Sequence, residues 1–233
     1  MIDRHCLIID NEDQSHEIEG IIRNGKPKGI NIICHQFNVG STSREDLLND
    51  AKNIDIAKVV ATFNNEFKGI AFNLMAFDWD LSDPNINGIE LIRQFQANDL
   101  RKNTPKLLYS GVLKEQIGSM LNEFKENKRT EKTVINWLNA LIKTPIMDFI
   151  DRPEYANSIV SILEKSNDSL EFAIESELRK LKDCEFKSVF PEFEGRKFGE
   201  IADLIESENV AGNRFKRELV NQIISYLTNI NVD

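Results

Sequence analysis

Residues 74–92 read LMAFDWDLSDPNINGIELI. Four apolar residues, Leu74 to Phe77, run into Asp78, Trp79 and Asp80. Pro84 and Gly88 follow, and Ile89, Leu91, Ile92 and Phe95 then resume at helical spacing. A strand that is apolar at every position has both faces covered, and a strand followed by a polar turn and a helix is the repeating unit of a parallel sheet. The unit recurs on either side. Including the whole run Ile70 to Phe77, the strand-like segments are Cys6 to Ile9, Ile30 to Cys34, Lys106 to Tyr109 and Pro145 to Ile150. Between them lie amphipathic stretches: Ile18, Ile21 and Ile22, then Leu47, Leu48 and Ala51, then Val59, Val60 and Phe63. This alternation predicts an α/β fold with a five-stranded, doubly wound parallel sheet, whose functional residues gather at the carboxyl ends of the strands.

The composition suits such a core. The chain has 233 residues, 41% hydrophobic and 29% charged, which excludes disordered and collagen-like classes. No stretch approaches the roughly 20 apolar residues of a membrane span, and the start, MIDRHC, lacks the apolar core of a signal peptide, so a cytoplasmic protein without a membrane partner is expected. A net charge of −9 opposes phosphate attraction, and nucleic acid is not an expected partner. Cys6, Cys34 and Cys184 show no metal or disulfide spacing and read as small buried hydrophobes; His5, His16 and His35 form no HxxxH pair.

Beyond about Leu163 the pattern becomes wholly helical. Leu170, Ile174, Leu178 and Leu181 form one seam, Phe198, Ile201, Ala202 and Ile205 a second, and Phe215, Leu219, Ile223 and Leu227 a third. Six of the 14 phenylalanines fall here, which argues for a packed unit. The polar stretch 165–169, where Asn167 or Asp168 can cap the next helix, divides a domain of residues 1–165 from a small all-α unit, 166–233. The latter holds 9 basic and 14 acidic residues, so protein interaction or self-association suits it better than a helix-turn-helix.

The strand ends carry Asp10, Asn11, Glu12 and Asp13, then Asp78 and Asp80, then Ser110 with Gly111, and finally Asp148, Asp151, Arg152 and Pro153. Acids crowded at one sheet mouth repel one another, and a cation, magnesium above all, would let them coexist.

On these residues the chain resembles the response-regulator receiver domain of two-component signalling, over roughly residues 3–164, with the flavodoxin-like topology of that family. CLIIDNED resembles its metal-binding acidic pair. In LMAFDWDLSDPNINGIELI the family's acceptor aspartate stands four residues before a proline and eight before a glycine, which selects Asp80. KLLYSG puts Ser110 at the switch hydroxyl. DFIDRP puts Phe149 at the aromatic switch and Arg152 where the family has lysine. The resemblance implies magnesium on Asp10, Asn11 and Asp80, a histidine kinase or phosphotransfer protein as phosphoryl donor, a downstream protein target, and no turnover activity. A homo-oligomer is compatible with it.

Two departures bear on the chemistry. Asn11 replaces an acid expected to hold the metal directly, and Arg152 substitutes a planar fork for a point ammonium. Arg152 could therefore bridge Asp10 to Asp80 and close the pocket, leaving a phosphorylation-independent pseudo-receiver adaptor. A different class is a haloacid dehalogenase-like phosphatase using Asp78 and Asp80, with Ser110, Lys143, Asp148 and Asp151 as its further motifs. Trp79, on the face opposite Asp80, is expected in the core. Two segments, Asn38 to Gly69 and Leu113 to Lys143, hold enough apolar pattern for two helices each, the latter restarting at Val134, Trp137, Leu138 and Leu141.

Overall fold

The computed structural model describes residues 2–40, 44–111, 118, 122, 125, 126, 143–166, 169–187 and 190–230. Five parallel strands, β1 (Ile2–Asp10), β2 (Ile30–Asn38), β3 (Leu74–Asp78), β4 (Lys106–Ser110) and β5 (Asp148–Asp151), pair in the order β2-β1-β3-β4-β5. The expected doubly wound α/β fold is therefore the observed one. Burial follows strand position. Residues 6–9 of β1 and all of β3 and β4 are buried, whereas β2 and β5, at the edges, are partly exposed.

Helices α1 (Ser15–Gly25) and α4 (Arg152–Lys165) cover one face, where Ile21, Tyr155, Ile159 and Leu163 meet Cys6, Ile8, Ala76, Leu107 and Tyr109. On the other face α3 (Gly88–Ala97) sets Phe95 edge-on against Phe77, with ring centroids 5.7 Å apart. Asn87 caps α3 by accepting from the Glu90 amide at 3.0 Å. A side chain on Gly88 would put its Cβ 2.2 Å from the Asp78 carbonyl oxygen and 2.8 Å from Leu108 Cδ1. Gly88→Ala is accordingly expected to destabilise the protein by about 1–3 kcal/mol, measured as a lower urea midpoint with an unchanged slope.

Between β2 and β3 the structure departs from the two expected helices. Among the described residues only α2 (Ile56–Phe67) forms, its first turn capped by Asp55; upstream lies a 3-10 turn, Glu45–Leu47. Leu47 and Leu48 are buried from that turn, and Leu48 bridges to Ile54, so their burial needs no second helix. The segment expected to carry Val134, Trp137, Leu138 and Leu141 lies outside the described residues. The cysteine reading is also amended. Cys6 and Cys34 are register partners on β1 and β2, where the neighbouring thiol and burial push the Cys6 thiol up, but Cys184 is exposed.

The chain divides into two compact units, residues 1–62, 72–98 and 104–166 forming the first and 63–71, 99–103 and 167–233 the second. The second unit thus takes in two short segments from within the first 165 residues. Its helices are α5 (Leu170–Lys180), capped by Ser169, α6 (Phe198–Glu206) and α7 (Val210–Ile230); Asn167 and Asp168 lie outside the described residues. Phe193, Ile201, Ile205 and Phe215 form its core, ringed by Phe186, Phe190 and Phe198. Buried Arg179 donates to Glu175 at 2.6 Å, to Asp203 at 2.9 Å and to the Lys68 carbonyl at 3.0 Å, and Arg101 donates to the Phe67 carbonyl. The Arg179 bonds tie segment 63–71 to the helices, and the Arg101 bond ties the two short segments to each other. Among the described residues no helix is long and apolar enough to cross a membrane.

Candidate functional site

The chain leaves β1 for β2 on one side and returns to β3 on the other, so the carboxyl ends of β1 and β3 flank a crevice, the place where open α/β sheets present reactive groups. Ile9 pairs with Phe77, which brings Asp10 and Asp78, the next residues, to the lip of that crevice. Both acids are buried.

Asp10 is saturated with donors. Its Oδ2 accepts from the Tyr109 hydroxyl at 2.6 Å and from Arg152 at 2.8 Å. Its Oδ1 accepts from the Glu12 amide at 2.8 Å. The Asn11 carboxamide satisfies both of its ends in one orientation, its nitrogen donating to Asp10 Oδ1 at 3.2 Å and to the Asp80 carbonyl at 2.9 Å while its oxygen accepts from Ser82 Oγ at 2.8 Å. Arg152 opens α4 directly after β5, and its second nitrogen reaches Glu12 at 3.1 Å. Burial lowers the Arg152 pKa, but the attraction of Asp10 and Asp78 outweighs it, and the net shift is upward. Burial and then the Asp10 charge raise the Tyr109 hydroxyl well above its usual range. Tyr109 in turn stacks on Tyr155, whose hydroxyl donates to Gln14.

Asp78 is the acid most altered by this setting. Burial first, then the charge of Asp10, lift its carboxyl from an ordinary 3.8 to about 7, with Arg152 opposing and Asp80 adding to the rise.

The sequence-derived candidates separate accordingly. Asp10, Asn11 and Arg152 come together as expected, but Arg152 bridges Asp10 to Glu12 rather than to Asp80. Asp80 itself is exposed, beyond the end of β3, with its Oδ1 accepting from the Ser82 amide at 2.9 Å. The side chain at the strand end is that of Asp78. Counted from Asp78, Pro84 and Gly88 stand six and ten residues on instead of four and eight. The turn after β3 holds that longer span, with Ser82 at φ 53° and Asp83 accepting from the amides of Asn85 and Ile86. Ser110 is buried at the end of β4, in register with Asp151. Phe149 is half-buried and stacks on Trp79 at 5.5 Å; Trp79 is likewise half-buried rather than a core residue.

Sequence patterns do not single out Tyr109 as a pocket residue; they place Glu12 and Asp78 among the strand-end acids, and give Asp78 a role of its own only in the phosphatase alternative. The signal for Tyr109 is its parity: it lies across β3 from Asp10 on the α1/α4 face, at the last buried position before Ser110.

The donor set does not fit the magnesium that the family resemblance implies. Magnesium requires near-octahedral oxygens at about 2.0–2.1 Å, one or two of them free carboxylate oxygens and the others largely water. Here, in the orientation that satisfies the Asn11 carboxamide, a neutral amide nitrogen lies between Asp10 Oδ1 and the Asp80 carbonyl, and the other Asp10 oxygen faces a hydroxyl and a guanidinium. Among the described residues no group of three or more His, Cys, Asp or Glu is placed to hold a metal ion.

No family model matches the chain, and no curated protein matches it. Solved structures do. A two-component response regulator from Cytophaga hutchinsonii is 16% identical, with 71% of this chain and 96% of that chain covered and a TM-score of 0.41. The receiver domain of NtrX from Brucella abortus is 14% identical over 69% and 96%, with a TM-score of 0.36. The Vibrio cholerae chemotaxis protein CheY4 is 10% identical over 70% and 98%, also at 0.36. At such identities the likeness concerns the fold alone.

Proposed function

We propose that the first unit is a receiver-like signalling module whose acid pocket is latched by Arg152, and that it works as an adaptor through protein contacts, without phosphoryl transfer or magnesium. The observation that carries this reading is the saturation of Asp10, whose two oxygens accept from Tyr109, Arg152, Asn11 and the Glu12 amide. A carboxylate so engaged has no lone pair left for a metal. Asp78, the acid in the acceptor position, is about half protonated near neutrality and to that extent a weak nucleophile. The partners that fit are proteins that recognise the surface of the module, upstream a kinase or phosphotransfer protein that docks without transferring. The phosphatase alternative gains nothing from the geometry: Lys143 is exposed, and the charges that act on Asp78 are those of Asp10, Arg152 and Asp80.

The test is incubation with acetyl phosphate and magnesium, followed by intact-mass spectrometry. The wild type is expected to gain no phosphoryl group, whereas Asn11→Asp combined with Arg152→Lys is expected to be labelled, and adding Asp78→Asn to that pair to abolish the label. Stoichiometric labelling of the wild type would overturn the adaptor reading. Labelling of the double variant that is lost with Asp80→Asn but survives Asp78→Asn would return the acceptor role to Asp80.

A further inference from the structure

The third helical seam divides in the structure. Phe215 is buried in the core of the second unit, but further along α7 Ile223, Ile224 and Leu227 are about half exposed. Val220, Ile223, Ile224 and Leu227 are spaced i, i+3, i+4 and i+7, so they form one ridge within an arc of roughly 100° at 3.6 residues per turn. Tyr226 stands off that arc, on the flank that Phe215 turns toward the core.

The ridge begins in a groove of about 220 Å³ between α5 and α7. Leu170, Ile174 and Val220 supply its apolar lining, and Lys216, Arg217, Asn221 and Glu171 its polar rim. It is smaller than the roughly 300–1,000 Å³ of small-molecule sites and suits a single inserted side chain. Lys216 and Arg217 lie one turn before the ridge, on or beside the same arc. Lys216 approaches Glu171 only to 3.9 Å, and among the described residues Arg217 has no carboxylate within ion-pair distance.

We propose that this surface docks an amphipathic helix of a partner protein that carries carboxylates beside its apolar stripe. The ridge has the spacing of a helix face, and a second helix covers such a face by laying its own i, i+3, i+4 and i+7 anchors along it. One apolar anchor enters the groove at Val220, and a carboxylate of the same helix reaches Arg217 at the rim. Charge selects an acid. The chain as a whole carries −9, so a basic helix would be attracted to much of its surface, whereas an acidic one is drawn where cations outnumber acids. At the groove Lys216 and Arg217 face the lone carboxylate of Glu171. No residue from Leu219 to Val232 is charged, so nothing along the ridge repels the acidic helix. All these residues belong to the second unit, and docking here does not depend on the pocket of the first.

Fluorescence anisotropy with the full chain tests the proposal, the probe being a labelled helical peptide of about five turns built from Leu, Ala and Glu, with Leu at i, i+3, i+4 and i+7. The acidic peptide is expected to bind with a Kd of roughly 1–50 μM, and its counterpart with Lys for Glu at least about 10-fold more weakly. Arg217→Glu is expected to weaken the acidic peptide about 10-fold and Arg217→Lys to retain it. Ile223→Asp should abolish binding, while Tyr226→Ser, off the ridge, should leave it within about 2-fold. Circular dichroism checks that the helices persist in each variant. No binding of the acidic peptide up to about 300 μM, equal binding of the two peptides, or an affinity unchanged by Arg217→Glu or by Ile223→Asp would overturn the proposal. So would a ridge occupied otherwise: a wild type that sediments as a dimer, or with phosphatidylcholine vesicles, in a way that Ile223→Asp removes.

Discussion

Asp10→Ala is expected to cost about 3–5 kcal/mol of stability. Asp10 is fully buried, and four donors converge on its two oxygens. Alanine removes the acceptor and leaves the Tyr109 hydroxyl, itself buried, without its Asp10 partner and the Arg152 guanidinium without its ion pair to Asp10. Stranding a buried donor carries its full desolvation penalty, so the loss exceeds the net worth of any one of these bonds. Arg152→Met should cost less, about 1 kcal/mol, because the guanidinium keeps a third of its surface in water and the methionine stem still covers the Tyr109 ring. Urea unfolding of the two variants against the wild type measures both. A loss below about 1 kcal/mol for Asp10→Ala would mean that the donors find other partners and that Asp10 does not hold the pocket together.

Asp78→Asn is expected to stabilise the protein at alkaline pH and to do little in acid. The folded carboxyl titrates at about 7 against an ordinary 3.8, so between those values the folded state binds the proton more tightly than the unfolded chain. Stability contributed by the protonated group is therefore full below about pH 4 and is lost as pH rises through about 7. Asparagine keeps the shape and a carbonyl acceptor but never ionises. The rise from 3.8 to about 7 sets an upper limit near 4 kcal/mol, and a gain of about 2–4 kcal/mol for the variant at pH 8 is expected, falling to about 1 kcal/mol at pH 5. Thermal unfolding at pH 5 and pH 8 compares the two. Equal midpoint differences at both pH values would show that Asp78 titrates as an ordinary surface acid.

The sheet is legible in the sequence because its inner strands are buried on both faces, leaving short unbroken apolar runs such as Cys6–Ile9 and Leu74–Phe77, each followed by a polar turn and a helical pattern. The packed helical tail is legible for a similar reason: its phenylalanines cluster, and they form the core there. The pocket is only partly legible. Asp10, Asn11 and Arg152 stand at or just past the ends of strands whose apolar runs are clear, and the structure brings them together. Asp78 and Asp80 alternate on the same face of an extended segment, and only the place where β3 stops pairing tells them apart. The count to Pro84 and Gly88 selects Asp80, whereas β3 ends at Asp78, six and ten residues before them. Tyr109 reads as one more apolar strand residue, since its hydroxyl bond to Asp10 spans 99 positions in sequence. The doubled helix expected before β3 fails on a local matter. Leu47 and Leu48 bury themselves in a single turn and a bridge to Ile54, a pairing that periodicity does not detect.

The latch can be examined without any donor protein by titrating magnesium with beryllofluoride, a phosphoryl mimic, into the wild type and into Asn11→Asp with Arg152→Lys in a calorimeter. With Arg152 seated on Asp10 and the Asn11 amide between the pocket oxygens, the wild type is expected to give no saturable heat, and the double variant to bind one equivalent. Saturable one-to-one binding by the wild type, abolished by Asp78→Asn, would contradict a closed, metal-free pocket.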